Sequence, residues 1–420
     1  MKIQIDHIAK IEGHAGFVGH IVKGDVKKAQ VEVEEGARLI ESLLVGRSYE
    51  DVPVITSRIC GLCPVIHGIT SIKALEQAFD ITPTKETVIL RELMLAGQII
   101  QSHVLHIFFL SATDYFKNRD GLDLAGENPE FAKKVLILRD FGNNVIKLIG
   151  GRAIHPLTPK VGGWHKIPSK DILKQIELEG KKVLPYSKLL VDFILSLNIP
   201  NFKRKTEYIA HKPKEGNKYS SYYGKMYSSE GWIADEEKFR NEIKEQQVNG
   251  TVAKLAKRAG ESYATDALAR LHINKKNLNP NAKRILKSTE LEFPIYNPFY
   301  NTLAQAIEVI HYVEECRKLA GELENSNLRN INIEFDIKKG FGAALLEAPR
   351  GTLYHSYDVN NKGIITKADV MTPTAQLLVN LNDDLKRYLP HIKKYKKEKR
   401  ELEILKLIHS YDPCISCSTH

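Results

Sequence analysis

Cysteine is scarce in this sequence, with five residues among 420. So few cysteines argue against a framework of disulfide bonds and favour a reducing compartment. Long hydrophobic runs are lacking as well, because the most apolar stretch, residues 99–110, is interrupted by Gln101, Ser102, His103 and His106. That stretch is too short and too polar to cross a bilayer, so we expect no membrane span. The sequence contains no evident repeat and no low-complexity linker.

The N-terminus lacks the features of an export signal. Residues 1–6 contain neither an apolar segment nor a pair of arginines, which predicts a subunit that is not exported by its own signal and that stays in the cytoplasm. The net charge is +10, and much of the excess lies in residues 386–400. Such a run is usually a solvated helix face. No aromatic stacking platform accompanies it, so we expect no nucleic-acid partner.

Hydrophobic periodicity predicts an α+β fold that is predominantly helical. Alternating apolar residues on both sides of Gly24-Asp25 predict a small N-terminal antiparallel sheet. The segment 85–115 is apolar on several faces, which is typical of a long helix at the centre of a bundle. Helices are predicted at 37–44, 68–79, 85–115, 128–150, 169–197, 236–271, 298–324, 375–388 and 397–409.

Three other segments are predicted to be less regular. Residues 331–335 have the pattern of a short strand, and 340–351 that of a glycine-rich connection. Two further strands are expected on either side of Asn360-Asn361 as a hairpin.

We predict a single domain with six sub-regions, although a chain of 420 residues could form two or three lobes. The sub-regions are the sheet 1–36, a helical core 37–200 with the first cysteine motif, a strand and loop excursion 201–235, a helical part 236–330, a glycine-rich and hairpin region 331–374, and C-terminal helices with the second cysteine motif 375–420.

Four of the five cysteines form two C-x-x-C pairs near opposite ends of the chain. Cys60 and Cys63 make the first pair, and Cys414 and Cys417 make the second. Thiolates that gather in one place need a cation to neutralise them, so the pattern predicts a soft metal held by both ends of the chain. The remaining cysteine, Cys316, is expected to be an inert core thiol.

Paired C-x-x-C motifs most often bind a structural zinc, and a rubredoxin-like iron is the second choice. Those sites usually join a short segment, whereas these pairs lie almost a whole chain apart. Arg58, His67, Asp412 and His420 also flank the cysteines. Titratable groups around a metal favour proton transfer and tuning of the sulfur ligands.

The two motifs in full, Arg58-Ile-Cys-Gly-Leu-Cys-Pro-Val-Ile-His67 and Asp412-Pro-Cys-Ile-Ser-Cys-Ser-Thr-His420, resemble the two signatures of nickel–iron hydrogenase large subunits. The resemblance extends to Ile11-Glu-Gly-His14, Glu347-Ala-Pro-Arg-Gly351 and Thr372-Pro-Thr374. In its terminal motif and its lack of an export signal, the sequence resembles the soluble, bidirectional cytoplasmic branch of this family. That branch includes the alpha subunits of sulfhydrogenases, and its members couple dihydrogen to NAD(P) or to a deazaflavin.

The resemblance implies that nickel is held by Cys60, Cys63, Cys414 and Cys417. The second cysteine of each pair, Cys63 and Cys417, would also bind an iron that carries carbon monoxide and cyanide. Four thiolates suit a nickel ion that changes oxidation state.

Further roles follow from the same resemblance. Arg350 would lie over the open edge of the metal pair, and Glu12 would accept a proton from Cys414. Pro373 and Thr374 would line the pocket for the diatomic ligands, with Thr374 donating to a cyanide.

Additional residues would support the centre. His67 would lie near the sulfur of Cys63, while Glu41 and His420 would bind a separate magnesium or iron ion that fastens the C-terminus. Its backbone ligand is expected near residues 366–371.

The sequence departs from the family pattern at one place. Many family members have an aspartate where this chain has Ser102, just before His103. Arg350 must therefore pair with Asp412 or with another partner.

The implied activity is reversible heterolytic cleavage of dihydrogen. This chain has no spare cysteines for iron–sulfur clusters, so the expected partners are an iron–sulfur small subunit, which would carry those clusters, plus a flavin-containing reductase subunit. Two alternative functions remain. One is that of a related subunit of an energy-converting respiratory complex, a class of protein that has lost these cysteines, and the other is that of a structural-zinc protein.

Overall fold

The computed structural model describes residues 1–116, 120–213, 218–219 and 222–419. Its helices are α1 Ile40–Leu44, α2 Val52–Thr56, α3 Pro64–Ala78, α4 Lys85–Leu105, α5 Gly121–Glu127, α6 Pro129–Gly150, α7 Lys170–Leu195, α8 Phe239–Glu242, α9 Ala267–Asn274, α10 Pro280–Ser288, α11 Asn301–Glu324, α12 Pro373–Ile392, α13 Lys397–Ser410 and α14 Ile415–Ser418. Its strands are β1 Lys2–Ile5, β2 Ala15–Val22, β3 Asp25–Val33, β4 Pro159–Lys160, β5 Gly163–Trp164, β6 Glu207–Pro213, β7 Gly224–Ser228, β8 Ile233–Ala234, β9 Ile243–Gln247, β10 Lys254–Arg258, β11 Tyr263–Ala264, β12 Gly340–Ala348, β13 Gly351–Val359 and β14 Ile365–Met371.

Long helices form the centre of the molecule, as the sequence predicts. Helix α11 packs against α7 and α4, and α4 packs against α6. Helix α4 continues through a π-helical turn, His106–Ser111, and a 3-10 turn, Ala112–Tyr115, so the helical segment ends at Tyr115. Lys85–Tyr115 is long and apolar enough to span a membrane, but 78% of its most apolar window is buried inside the protein. It is therefore placed as a core helix.

The N-terminal sheet is also confirmed. Strands β1, β2 and β3 pair antiparallel in that order. Apolar side chains on one face, among them Phe17, Val31 and Val33, are buried, which explains the alternation in the sequence.

The glycine-rich segment 340–351 is not a connection, which corrects the sequence-based expectation. Strand β12 spans most of it and pairs with β13, and β13 pairs with β14. The glycines allow α3 to lie directly on this sheet. A Cβ atom on Gly340 would lie 1.9 Å from the carbonyl oxygen of Ala78, and one on Gly342 would lie 1.9 Å from that of Ala74. The predicted hairpin around Asn360-Asn361 is confirmed by β13 and β14.

The continuous helix predicted at 236–271 is wrong. Strands β9 and β10 form an antiparallel hairpin there, and only α9 near the end is a sustained helix. The missed signal is Asn249-Gly250, since Gly250 has a φ of +88° and the pair is a strong hairpin turn sequence.

The strand predicted at 331–335 is also wrong, since the structure describes all five residues and assigns none of them to a strand. Their backbone groups bond elsewhere. Ile331 accepts a hydrogen bond from Thr87 Oγ1 (2.8 Å), and Ile333 donates to the carbonyl of Gly162 (2.8 Å).

One large buried cluster of apolar side chains runs from Ile3 in the first strand to Cys417 in the last helix. A smaller cluster joins the sheet β12–β14 to β6, β7, α8 and β9–β11. Both chain ends therefore contribute to the same core, although the six-part division of the chain stays a prediction.

Candidate metal centre

The two C-x-x-C pairs meet at one buried point. The four Sγ atoms of Cys60, Cys63, Cys414 and Cys417 all lie within 4.8 Å of one another. The pairs interleave, since Cys60 Sγ lies 3.3 Å from Cys414 Sγ, and Cys63 Sγ lies 3.4 Å from Cys417 Sγ. None of these cysteines forms a disulfide. The prediction that both ends of the chain converge on one site is confirmed.

The chemistry of these sulfurs fits a bound cation. Hydrogen bonds from the thiols of Cys414, Cys417 and Cys63 hold the pKa of Cys60 well below its ordinary value. Burial, together with the neighbouring sulfurs, raises the pKa of Cys414 well above it. Burial thus disfavours charge on these sulfurs, and a soft metal ion would stabilise thiolates here by supplying positive charge.

Helix α4 fixes the loop of the first pair. Gln98 Oε1 accepts hydrogen bonds from the backbone N–H groups of Val65 (2.7 Å) and Ile66 (3.2 Å) at the start of α3. One turn later, Gln101 Nε2 donates to the carbonyl of Leu62 (3.1 Å). Their role explains why an otherwise apolar helix contains polar residues here. The sequence analysis did not assign this role to either glutamine.

The terminal loop is fixed from two sides. The N–H of Cys414 donates to Thr374 Oγ1 (3.1 Å) at the start of α12. The N–H of Ile415 donates to the carbonyl of Glu12 (2.8 Å), and Glu12 pairs with Cys414 in an isolated parallel bridge. The N-terminal loop is thus an integral part of the centre.

The carboxylate of Glu12 lies directly against the cluster. Its Oε2 atom is 3.1 Å from Cys414 Sγ and accepts a hydrogen bond from the N–H of Ser416 (3.0 Å). Gly13 permits this approach, since a Cβ atom there would lie 2.7 Å from the Cβ of Ile415. The predicted contact between Glu12 and the first cysteine of the terminal pair is therefore present.

A polar clamp tethers the loop that carries Glu12. His409 Nε2 donates to the carbonyl of Ala9 (2.8 Å), and Lys10 Nζ donates to Asp114 Oδ1 (3.0 Å). Asp114 also pairs with His409 Nδ1. Helix α13, the end of the α4 segment and the N-terminal loop are joined by these bonds.

Arg350 occupies the two-residue turn between β12 and β13, where Ala348 pairs with Gly351. Its Nη2 donates to Asp412 Oδ1 (2.9 Å) and its Nε donates to the Asp412 carbonyl (2.8 Å). Burial alone would lower the pKa of Arg350, but Asp412 and the nearby thiols raise it well above its ordinary value. The guanidinium therefore stays charged beside the sulfurs.

Ser102 contributes little to the binding of Arg350, and Asp412 is the partner among those that the sequence left open. Arg350 Nη1 reaches Ser102 Oγ only at 3.5 Å, the outer limit of a hydrogen bond, so Asp412 is the main partner. On its other side, Asp412 Oδ2 accepts from Gln305 Nε2 (3.2 Å), and His106 Nδ1 lies 2.6 Å from Gln305 Oε1. Sequence reasoning missed both supporting residues.

A buried charge network braces the turn that carries Arg350. Arg270 donates to the carbonyls of Ala348 (2.9 Å) and Pro349 (3.0 Å), and it forms a two-bond ion pair with Glu308 at 2.7 Å. Burial alone would raise the pKa of Glu308, but Arg270 and His103 lower it to about 2. Glu347, in the motif that suggested the family, accepts from Arg270 Nη1 (3.2 Å).

A small cavity of about 10 Å³ lies against the cluster, with room for about one water-sized molecule. Pro373 and Thr374 line it, as predicted, together with Arg350. Because Thr374 Oγ1 already accepts from Cys414 N–H, its own proton is available to donate to another acceptor.

The structure separates the two flanking residues of the first pair. His67 is buried, its Nε2 lies 3.8 Å from Cys417 Sγ, and it lines the same small cavity as Cys63. Arg58 is exposed to solvent and lies outside the buried group, so its expected role next to the metal is not supported.

The predicted second ion site is described in part. Glu41 Oε1 accepts a hydrogen bond from Lys254 Nζ (2.6 Å), and the N–H of Arg38 donates to the carbonyl of Thr419 (2.8 Å). The end of the chain thus lies beside the segment that carries Glu41. His420, the other predicted ligand, lies outside the described residues.

A helical core that brings two C-x-x-C pairs together beside a charged arginine and a carboxylate defines a class of protein, the oxidoreductases that work at a thiolate-held metal. Comparison with known proteins gives the family. A sequence model described as nickel-dependent hydrogenase matches residues 38–135 and 210–420. The chain belongs to this family, as a hydrogenase large subunit, and the prediction from its motifs is confirmed.

Individual relatives match along nearly their whole length. The alpha subunit of sulfhydrogenase 1 from Pyrococcus furiosus is 32% identical over 425 aligned positions, which cover 100% of this chain and 98% of that protein. The matching chain of the vhu F420-non-reducing hydrogenase from Methanocaldococcus jannaschii is 31% identical, covering 89% and 95%. A crystal structure of an NAD⁺-reducing NiFe hydrogenase in the H₂-reduced state has a TM-score of 0.91 at 25% identity, covering 100% and 99%.

Proposed function

We propose that this subunit splits dihydrogen reversibly and heterolytically at a nickel–iron group held by Cys60, Cys63, Cys414 and Cys417. Cys63 and Cys417 would also hold the iron, whose other ligands would be carbon monoxide and cyanide. The observation that carries the proposal is the approach of four buried Sγ atoms to within 4.8 Å of one another. When bound, the group supplies the redox-active centre at which the hydrogen–hydrogen bond is cleaved.

Glu12 is the proposed proton acceptor. Its Oε2 atom lies 3.1 Å from Cys414 Sγ, within hydrogen-bond distance of the thiol. A proton released on this sulfur transfers to Glu12 without movement of the backbone, because the carbonyl of Glu12 is bonded to Ile415. The N–H of Ser416 donates to the same oxygen (3.0 Å) and so holds the carboxyl group in place.

Arg350 is the proposed polar wall of the reaction site. Its two bonds to Asp412 hold the guanidinium plane, and the charge faces the cavity next to the sulfurs. A fixed hydrogen-bond donor in a buried cavity polarises a small bound molecule at little reorganisation cost. Pro373 and Thr374 shape the same cavity, and the hydroxyl of Thr374 is placed to donate to a cyanide.

Arg350→Lys should retain the metals yet lower turnover per bound nickel by about 100-fold, because a lysine ammonium cannot replace a planar fork held by Asp412. The matched control is Arg387→Lys on the exposed face of α12, which should leave turnover unchanged. Dihydrogen uptake normalised to nickel content gives the comparison. Near-normal uptake by Arg350→Lys would reduce Arg350 to a structural role.

Electrons must leave through a partner. Four cysteines are committed to the cluster, and Cys316 is a lone thiol buried in α11. We therefore propose two partners in the cytoplasm, an iron–sulfur small subunit, which receives the electrons, and a flavin-containing reductase subunit. The similarity to an NAD⁺-reducing enzyme favours a nicotinamide over a deazaflavin as the final acceptor.

We also propose a second ion site near the C-terminus. Glu41 and His420, with a backbone carbonyl from residues 366–371, would hold magnesium or iron. Support comes from the packing of α1 on β14 and from the bond between Arg38 and Thr419. An ion there would displace Lys254 from Glu41.

The test is dihydrogen-dependent reduction by the complete purified complex. We expect reduction of a viologen dye and of NAD⁺ or NADP⁺, with slower reduction of the deazaflavin coenzyme F420. Failure to reduce the dye while nickel and iron are bound would overturn the proposed activity. Reduction of F420 alone would overturn only the choice of acceptor.

A further inference from the structure

Strand β13 places two polar side chains against the helix that follows the first cysteine pair. His355 and Tyr357 are two positions apart and therefore share one face of the strand. That strand packs on α3, which carries His67. Exposure is 1% for His67, 0% for His355 and 1% for Tyr357, so all three are shielded from solvent.

These side chains form a continuous chain that ends at the metal site. Tyr357 OH lies 2.7 Å from His355 Nδ1, and His355 Nε2 lies 3.2 Å from His67 Nδ1. His67 Nε2 in turn lies 3.8 Å from Cys417 Sγ, within range of a hydrogen bond to sulfur.

The sulfur of Cys417 determines which atom donates in each of these hydrogen bonds. With the metals bound, Cys417 would be a thiolate that can only accept, so Nε2 of His67 must carry a proton. Nδ1 of a neutral His67 then accepts from Nε2–H of His355. Nδ1 of His355 accepts in turn from the hydroxyl of Tyr357. One tautomer of each histidine satisfies these three contacts.

We propose that His355 and Tyr357 are positioning residues that hold His67 as an N–H donor to the sulfur of Cys417. The inference deepens the proposed function, on which it rests for the thiolate form of Cys417. A histidine whose outer nitrogen is engaged keeps both its tautomer and its ring orientation. Each bond in such a row also polarises the next, which strengthens the last one.

The surroundings of Tyr357 keep it a donor. Burial, and after it the negative charge of Glu41, raise the pKa of the Tyr357 hydroxyl well above its ordinary value. The phenol therefore retains its proton. The row of hydrogen bonds thus starts at Tyr357, which senses the charge of Glu41, and ends at the cysteine cluster.

The donor bond has a measurable consequence at the metal. A hydrogen bond to a ligand sulfur withdraws electron density and tunes the potential of the group that the sulfur binds. Loss of that bond should leave the metal richer in electrons. Carbon monoxide and cyanide stretching bands should then move to lower frequency, since more density enters their antibonding orbitals.

The experiment compares Tyr357→Phe and His355→Leu with the wild-type complex by infrared spectroscopy, nickel and iron analysis and dihydrogen uptake. Both variants should bind the metals, shift the bands to lower frequency and lose about ten-fold in turnover. His355→Gln, whose amide has a donor and an acceptor, should restore the wild-type bands. Tyr354→Phe, on the same strand but in the smaller core cluster, should not move them.

Unchanged bands in metal-loaded Tyr357→Phe and His355→Leu would overturn the inference, as would an equal shift in Tyr354→Phe. If either substitution prevents folding, the infrared bands of His355→Gln decide the question. Wild-type bands support the hydrogen-bonding role, whereas shifted bands would mean that His355 acts only through packing. A wild-type complex without nickel and iron would instead overturn the proposed function.

Discussion

Alanine at Cys60, Cys63, Cys414 or Cys417 should abolish dihydrogen turnover. Each thiol is buried, and its sulfur lies within 4.8 Å of the other three, so removal of any one leaves an incomplete ligand set and a cavity. Loss of a ligand should also lower the retained nickel and iron to a small fraction of the wild-type content. Metal analysis and dihydrogen uptake on the same preparations test both parts.

Cys316→Ala is the matched control for this series. Cys316 is as buried as the four ligands, but it lies in α11, outside the cluster. Burial raises the pKa of its thiol, which is the state of an inert core residue. The Cys316→Ala variant should therefore keep the wild-type metal content and turnover. A Cys60→Ala protein that retains nickel and takes up hydrogen at the wild-type rate would contradict the assignment of the ligands.

Glu12→Gln should assemble the complete metal group yet lose dihydrogen oxidation with dyes and hydrogen–deuterium exchange with water, each by at least about 100-fold. The amide keeps the shape of the side chain and can still accept from the N–H of Ser416. It cannot take a proton from Cys414. Gas-phase mass spectrometry of the dihydrogen isotopes measures the exchange directly.

Glu34→Gln is the control for Glu12→Gln, since it removes an exposed carboxylate at the edge of the same N-terminal sheet. Its exchange rate should match that of the wild type. Exchange at the wild-type rate in Glu12→Gln would mean that protons leave the centre by a different route.

The sequence predicted the residues that carry chemistry better than those that hold them in place. Two C-x-x-C pairs, a glutamate before a glycine and an arginine in a known motif are local patterns. Gln98, Gln101 and Gln305 carry no such pattern, because they matter only through backbone groups and side chains that the fold brings near them.

The limits of the fold prediction have specific causes as well. Gly340 and Gly342 suggested a loop, yet they serve the contact of a strand with α3, which depends on tertiary packing. Asn249-Gly250 was a readable turn signal that the helical pattern around it concealed. His355 and Tyr357 alternate correctly for one face of a strand, but only the position of α3 shows that this face meets His67.

The metal content of the purified, active complex tests the central claim most directly. We expect nickel and iron in equal amounts at the four-cysteine centre, besides any iron in the C-terminal ion site and the small subunit, with infrared bands of metal-bound carbon monoxide and cyanide. Nickel and those bands should be absent from Cys60→Ala. Zinc alone in the wild-type site, or dihydrogen turnover by protein without nickel, would contradict that claim.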